Sequence, residues 1–185
     1  MNKRFLDDEV RWADWMARAQ GGDRAVYETL LAELGVAIET YIRVRFGPID
    51  ALEDCVQECL IAVHAARQTY DPQRLFRPWL FTIVRHRTID LLRQRRTWLS
   101  MLDALGAEVP VEDQSERLLR QIDGVRILEQ LSPDHREMIA LSKYGGYTTA
   151  EAADYLGITE SAAKARLLRA LAAIRSLLEA EGLPA

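Results

Sequence analysis

Thr148-Thr149-Ala150-Glu151-Ala152-Ala153-Asp154-Tyr155-Leu156-Gly157-Ile158-Thr159-Glu160, inside the span 131–179, decides the reading of this chain. Thr148 and Glu151 have the spacing of a capping box, in which a hydroxyl and a carboxylate each take up a backbone N–H, so a helix starts there and runs to about Leu156. Gly157-Ile158-Thr159 makes a tight turn, with the glycine free to take positive φ. Upstream, Ser132-Pro133-Asp134 opens another helix with a hydroxyl cap, a proline whose missing N–H does no harm and an acid in the first turn; Gly145-Gly146 closes it. Downstream, a longer helix runs from Glu160 towards Gly182 and Pro184. Ala163, Leu167, Ala170, Leu171, Ile174, Leu177 and Leu178 form its apolar stripe, and Lys164, Arg166, Arg169 and Arg175 fall off it. A plain helical hairpin with solvated arginines would share these helices. Cap, glycine turn and cations in this order favour a helix-turn-helix, which lays its second helix in a DNA major groove.

Outward from that stretch, the chain of 185 residues suits one medium domain or two small ones, and 49% hydrophobic residues supply a core. No run alternates as a strand would, so the expected class is all-α. The net charge of −4 hides segregation. Arg74, Arg77, Arg85, Arg87, Arg93, Arg95 and Arg96 face a single acid, Asp90, in one block; Asp103, Glu108, Glu112, Asp113 and Glu116 stand without Lys or Arg in the next. Such blocks imply surfaces with different partners. No apolar run approaches the roughly 20 residues of a membrane span, and the N-terminus leads into no signal-peptide core, so a cytoplasmic location is expected.

The N-terminal part reads as four helices: about Asp8 to Gln20, ended by Gly21-Gly22; about Asp23 to Phe46, ended by Gly47-Pro48; about Ala51 to Gln68, with Asp50 as cap; and about Arg77 to Arg96, with Pro78 in its first turn. Tyr70-Asp71-Pro72-Gln73-Arg74 is a loop. Thr97 to Ser115 reads as an acidic linker with Gly106 and Pro110, and helix returns from about Glu116.

Two constellations outside the helix-turn-helix are candidates for binding. On the third helix, Leu52, Val56, Cys59 or Leu60, and Val63 make the buried face, while Asp54, Gln57 and Glu58 make a compact acidic and amide patch on another. A solvated face is the ordinary reading of such a patch. The loop and fourth helix interleave Tyr70, Arg74, Phe76, Arg77, Trp79, Phe81, Arg85, His86 and Arg87, cations for phosphates and aromatics for unstacked bases. Core packing accounts for most of those aromatics, Trp79 included; Phe76, in the loop, is the better candidate to touch a base.

At this point a resemblance emerges. Asp54-Cys55-Val56-Gln57-Glu58, Tyr70-Asp71-Pro72, Phe76-Arg77-Pro78-Trp79-Leu80 and Ile89-Asp90-Leu91-Leu92-Arg93 resemble conserved region 2 of bacterial extracytoplasmic-function sigma factors. Leu131-Ser132-Pro133 with Arg136-Glu137, Ala150-Glu151-Ala152-Ala153, Leu156-Gly157-Ile158 and Lys164-Ala165-Arg166-Leu167-Leu168-Arg169-Ala170-Leu171 resemble region 4. The likeness covers nearly the whole chain and implies two small helical domains, residues 1–96 and 117–185, joined by the acidic linker 97–116. Ala62-Val63-His64 with Gln68-Thr69-Tyr70-Asp71-Pro72 and Ile83-Val84-Arg85-His86 is similar to a proteobacterial subgroup controlled by small multi-spanning membrane anti-sigma proteins.

The resemblance implies a set of roles. Asp54, Gln57 and Glu58 would dock on the clamp coiled coil of the polymerase β′ subunit, with the β flap as a further polymerase contact. Asp71, Arg74, Phe76, Arg77, Arg85 and His86 would recognise the −10 element, where a flipped base enters a pocket. Ser161, Lys164, Ala165, Arg166 and Arg169 would lie on or near the −35 element. The acidic linker would thread polymerase channels that otherwise hold nucleic acid. Implied partners are core RNA polymerase, promoter DNA and an anti-sigma factor, membrane-embedded in the subgroup and so able to hold the protein at the inner membrane. No cofactor, metal or small-molecule substrate is implied. His86 stands where many members carry asparagine, Leu168 replaces a frequent histidine, and Ala162, Ala163 and Ala165 leave fewer donors for base edges.

The rivals are weaker. Cys55 and Cys59, four apart on one helix, could ligate a metal with His64 or sense oxidants, but read first as small buried residues. No phosphate loop, dinucleotide fingerprint or His-Glu-x-x-His supports an enzyme. A stand-alone helix-turn-helix regulator is the alternative, and it needs a ligand or dimerisation domain that the N-terminal half does not signal.

Overall fold

The computed structural model describes residues 3–47, 49, 51–104 and 127–181. Among them every regular element is helical, as the missing strand pattern requires. The first half comprises α1 (Lys3–Gln20), α2 (Arg24–Phe46), α3 (Leu52–Ala66), a 3₁₀ turn (Arg67–Thr69) and α4 (Phe76–Ala104). The second comprises α5 (Pro133–Ile139), continued by a π turn over Ala140–Tyr144, then α6 (Thr149–Leu156) and α7 (Glu160–Ala180).

Local chemistry sets most of the boundaries. Asp23 accepts from the Val26 N–H, Ser132 from the His135 N–H and Thr159 from the Ala162 N–H. Thr148 and Glu151 form the full reciprocal box, and Gly157 takes the left-handed φ of 65° that ends α6. Each side-chain cap is worth about 1 kcal/mol. Three helices depart from expectation. α1 begins at Lys3, five residues ahead of the expected start near Asp8. The cap position of α3 is Ala51, at φ 58° and with no side-chain bond; Asp50, the expected cap, lies outside the described residues. α4 begins at Phe76 and continues past Arg96 to Ala104. The change from basic to acidic residues does not stop it, because charge sign leaves backbone preference nearly untouched. The helix breakers Gly106 and Pro110, and the remainder of the expected linker, lie outside the described residues.

α1 to α4 pack side by side around Met16, Leu30, Leu34, Ile38, Tyr41, Cys59, Val63, Phe81 and Val84. The same apolar cluster takes in Leu131, Ile139, Ala140 and Ala170 from the second half, so the two halves share a core. A smaller cluster of Met138, Leu141, Ala152, Ala153 and Ala163 lies inside the helix-turn-helix. Its alanines let helices approach but bury little, at about 0.8 kcal/mol per CH2-sized group, so the second half leans on the shared cluster.

Polar contacts close the seam. Arg45 pairs with Glu137. Arg77 donates to the Tyr144 carbonyl at 3.0 Å, the Thr82 and Tyr147 hydroxyls lie 2.9 Å apart, and the Arg85 guanidinium sits 4.6 Å over the Tyr155 ring. Gly146, at φ 72°, comes so near that a Cβ there would lie 3.4 Å from that of Arg77.

Candidate polymerase and promoter interfaces

α3 is amphipathic in the sense the sequence predicts. Leu52, Cys55, Val56, Cys59 and Val63 are buried, and Glu53, Asp54 and Gln57 are exposed. Glu58 behaves differently: it turns towards α4 and pairs with Arg87, which leaves Asp54 and Gln57 as the open part of the patch. Those two border a shallow groove between α2 and α3, whose floor includes Leu31, Gly35, Val36 and Leu60. Val36 and Ile61 are 68% and 61% exposed, large values for aliphatic side chains. A groove with an apolar floor and an acidic, amide rim suits a helical partner that carries cations beside aliphatic residues. The α2 side of this groove escaped the sequence reading. Its signal was Gly35 in mid-helix, where the missing side chain leaves room.

The loop before α4 is held from within. Asp71 accepts from the Gln73 N–H at 2.9 Å, and the Tyr70 hydroxyl donates to the Arg74 carbonyl at 2.9 Å. Asp71, Arg74 and Leu75 project outwards, with Arg74 loosely paired to Asp71 at 3.6 Å. Phe76 does not project. It is fully buried, with ring centroids 5.1 Å from Tyr70, 5.4 Å from Trp79 and 6.1 Å from Trp12. The placement follows from chain geometry: Phe76 is the first residue of α4, and its side chain falls on the face that α4 turns to the core. Arg77 is buried as well, 4.6 Å over the Trp12 ring and 3.5 Å from Asp8. Burial lowers its pKa while Asp8 and Glu9 raise it, so the two acids are what keep a desolvated guanidinium comfortable. Further along α4, Arg85 is covered by Tyr155 and His86 is exposed. Of the six residues expected at the −10 element, Asp71, Arg74 and His86 are therefore open, Arg77 and Arg85 are held at the seam, and Phe76 is core.

On α7 the periodicity gives a clean face. Ser161, Lys164, Ala165, Leu168 and Arg169 are exposed along one side, opposite buried Ala163 and Ala170. Lys164 reaches Glu160 at 2.7 Å, and Arg166 is partly covered 3.5 Å from Asp134. Leu171, expected in the apolar stripe, is 38% exposed. The two cysteines are buried free thiols. Both approach Thr88, Cys55 at 3.9 Å and Cys59 at 3.6 Å, and Cys59 also reaches the Val84 carbonyl at 3.7 Å. Cys55 and burial push the Cys59 thiol up. His64 meets the Tyr27 hydroxyl at 3.0 Å and Arg67 at 3.3 Å. Among the described residues no cluster of three or more metal-ligating side chains forms.

Comparison with known proteins agrees with this layout. Residues 32–97 match the family described as Sigma-70 region 2, and residues 125–174 that described as Sigma-70, region 4. The chain is 35% identical over 178 residues to the ECF RNA polymerase sigma factor SigF of Caulobacter vibrioides, covering 92% of this chain and 95% of that one. Among solved structures, CnrH in complex with the cytosolic domain of CnrY matches with a TM-score of 0.58 and 28% identity over 92% of this chain and 98% of that one. The sigma factor RpoE in complex with the anti-sigma factor NepR from Bartonella quintana matches with a TM-score of 0.58 and 26% identity, over 83% and 96%.

Proposed function

Because the chain belongs to the extracytoplasmic-function RNA polymerase sigma factors, we propose that α3, the 71–75 loop with α4, and α7 divide among them the contacts with core polymerase, the −10 element and the −35 element. The protein is a transcription initiation factor that directs core RNA polymerase to promoters. It acts by recognition, and no step of its work calls for covalent chemistry.

The observation that carries the docking site is the split character of α3: apolar residues and both thiols inside, Asp54 and Gln57 outside, beside the groove under Val36. The β′ clamp coiled coil would lie there, its cations steered by Asp54. In the −10 unit, Arg74 and His86 are ready for phosphate and base edges; Arg77 and Phe76 act as the frame behind them. Arg85 joins the DNA face when Tyr155 moves away. On α7, Arg169 and Lys164 take phosphates of the −35 element, while exposed Leu168 offers an apolar contact of the kind that suits a thymine methyl. Residues 1–96 and 117–185 are the working domains, with the acidic stretch 97–116 between them. Its first residues extend α4.

The likeness to RpoE bound by NepR, and to CnrH bound by the cytosolic domain of CnrY, supports control by an anti-sigma protein. Membrane-embedded in the subgroup the chain resembles, that protein would hold an otherwise cytoplasmic factor at the inner membrane. No helix among the described residues is long and apolar enough to cross a membrane by itself.

Binding of the purified chain to core polymerase tests the reading. Asp54→Arg with Gln57→Arg is expected to abolish binding while helicity by circular dichroism is kept. Wild-type affinity in the folded double variant removes the docking site. Sequence-specific DNA binding by the free chain, with no affinity for polymerase, restores the stand-alone regulator.

A further inference from the structure

α1 lies outside the stretch that matches the sigma region 2 family, which begins at residue 32, yet it grips the −10 loop at both ends. At the entry, the Gln20 side-chain amide donates to the carbonyls of Arg67 and Tyr70, at 2.8 and 2.9 Å. At the exit, the Glu9 carboxylate accepts from the backbone N–H of Phe76 and, at 3.1 Å, from that of Arg77. These amides open α4, whose first N–H groups have no partner within the helix. Leu75, the residue before α4, cannot cap it, so the cap comes from another helix. A carboxylate at that position also meets the positive end of the helix dipole. Asp8 completes the grip on Arg77 at 3.5 Å, and Trp12, which lies under the Arg77 guanidinium and meets Phe76 edge to face, donates to Glu33 of α2 at 2.8 Å.

We propose that α1 is a bracket that sets the reading geometry of the −10 loop, with Glu9 and Gln20 as its positioning residues. The proposal rests on the loop being the −10 reader. Residues 71–75 form one small turn, closed by the Arg74 N–H on the Asp71 carbonyl at 2.9 Å and braced by the Asp71 side chain and the Tyr70 hydroxyl, so the two ends decide how that turn is aimed. Both ends belong to one rigid helix, and the span between Gln20 and Glu9 fixes the span of the loop. Neither residue touches DNA; Gln20 acts through the backbone it holds, and Glu9 through the two amides and the buried Arg77 guanidinium 3.8 Å away. Glu9 is mostly covered, with 15% of its side chain exposed, as suits a group that serves the fold's interior.

The test is selection of random-sequence double-stranded DNA by reconstituted holoenzyme, comparing wild type with Glu9→Ala, Glu9→Gln and Gln20→Ala in the full chain. Wild type is expected to enrich a bipartite −35 and −10 sequence; failure to do so sinks the promoter-reading premise itself. The bracket predicts that Glu9→Ala and Gln20→Ala lower −10 enrichment about tenfold, a change of roughly 1.4 kcal/mol, while −35 enrichment and core polymerase affinity stay within about twofold. Glu9→Gln keeps one carbonyl acceptor and loses the second oxygen and the charge that faces Arg77, so it is expected to recover part of the loss. Equal loss at both elements would mean a merely structural role, and unchanged −10 enrichment in both alanine variants would overturn the bracket outright.

Discussion

Phe76 and Arg74 stand two residues apart and do different jobs. Phe76 is a fully buried member of an aromatic cluster with Trp12, Tyr70 and Trp79. Phe76→Ala is expected to cost about 3–5 kcal/mol of stability, read as a shift in the denaturation midpoint. Arg74→Ala removes a side chain 83% exposed and is expected to leave that midpoint in place while weakening promoter opening. The same stability loss in both would contradict the assignment. The sequence could not separate them, because an aromatic next to a loop is equally suited to a base and to a core; only the direction of the first turn of α4 decides. Glu9 and Gln20 were invisible for a related reason. Their partners are backbone groups more than forty residues away, and backbone groups leave no trace in a sequence. The thiols were legible, since Cys55 and Cys59 fall at helical spacing on the apolar face. Native protein is expected to resist thiol-specific labelling until it is denatured, and fast labelling of the folded chain would reopen a sensing role.

At the scale of elements, capping residues made most boundaries readable, and α6 shows why. Thr148 holds the Glu151 carboxyl below the ordinary range through its hydroxyl and its backbone N–H. A carboxyl depressed in the folded state adds stability that is present above its unfolded pKa and is lost as pH falls through the folded value. Glu151 is largely exposed, so the effect is modest. Acidification through the carboxylate range is expected to weaken −35 DNA binding by wild type, and Thr148→Ala, about 1 kcal/mol less stable at neutral pH, is expected to lose that part of the acid sensitivity. An identical acid profile in the variant would show that the box does not matter. α4 was harder to read: no residue of its own caps its start, and its stop signals stand well beyond the change in charge.

Across the whole molecule, the sequence predicted two helical units but not that they would share a core. The seam is an equivocal one. Arg45 and Glu137 pair with only 16% and 17% of their side chains exposed, yet Arg85 Nε, Arg136 Nε and the Tyr155 hydroxyl are buried without a hydrogen-bond partner among the described residues. Each such group costs about 1–3 kcal/mol, against apolar burial that favours closure. The chain is closed, with the Asp54 patch and the α7 face open and Arg85 covered by Tyr155. Glu137→Lys is expected to widen the solution radius measured by X-ray scattering, and to raise affinity for single-stranded −10 DNA. An unchanged radius would show that the apolar contacts alone keep the halves together.

α3 and α4 are pinned to each other where Cys55 and Cys59 meet Thr88 and where Glu58 meets Arg87. Beyond Leu91, which still packs on the core, α4 continues to Ala104, an overhang of about 20 Å. Such an arm is a pointer with its pivot in the core: a tilt of five degrees at the pivot swings the tip by about 2 Å. Small adjustments in how α3 seats on its partner would thus be magnified at the place where the chain departs for its second half, so that the docking angle and the aim of the tether become one mechanical quantity.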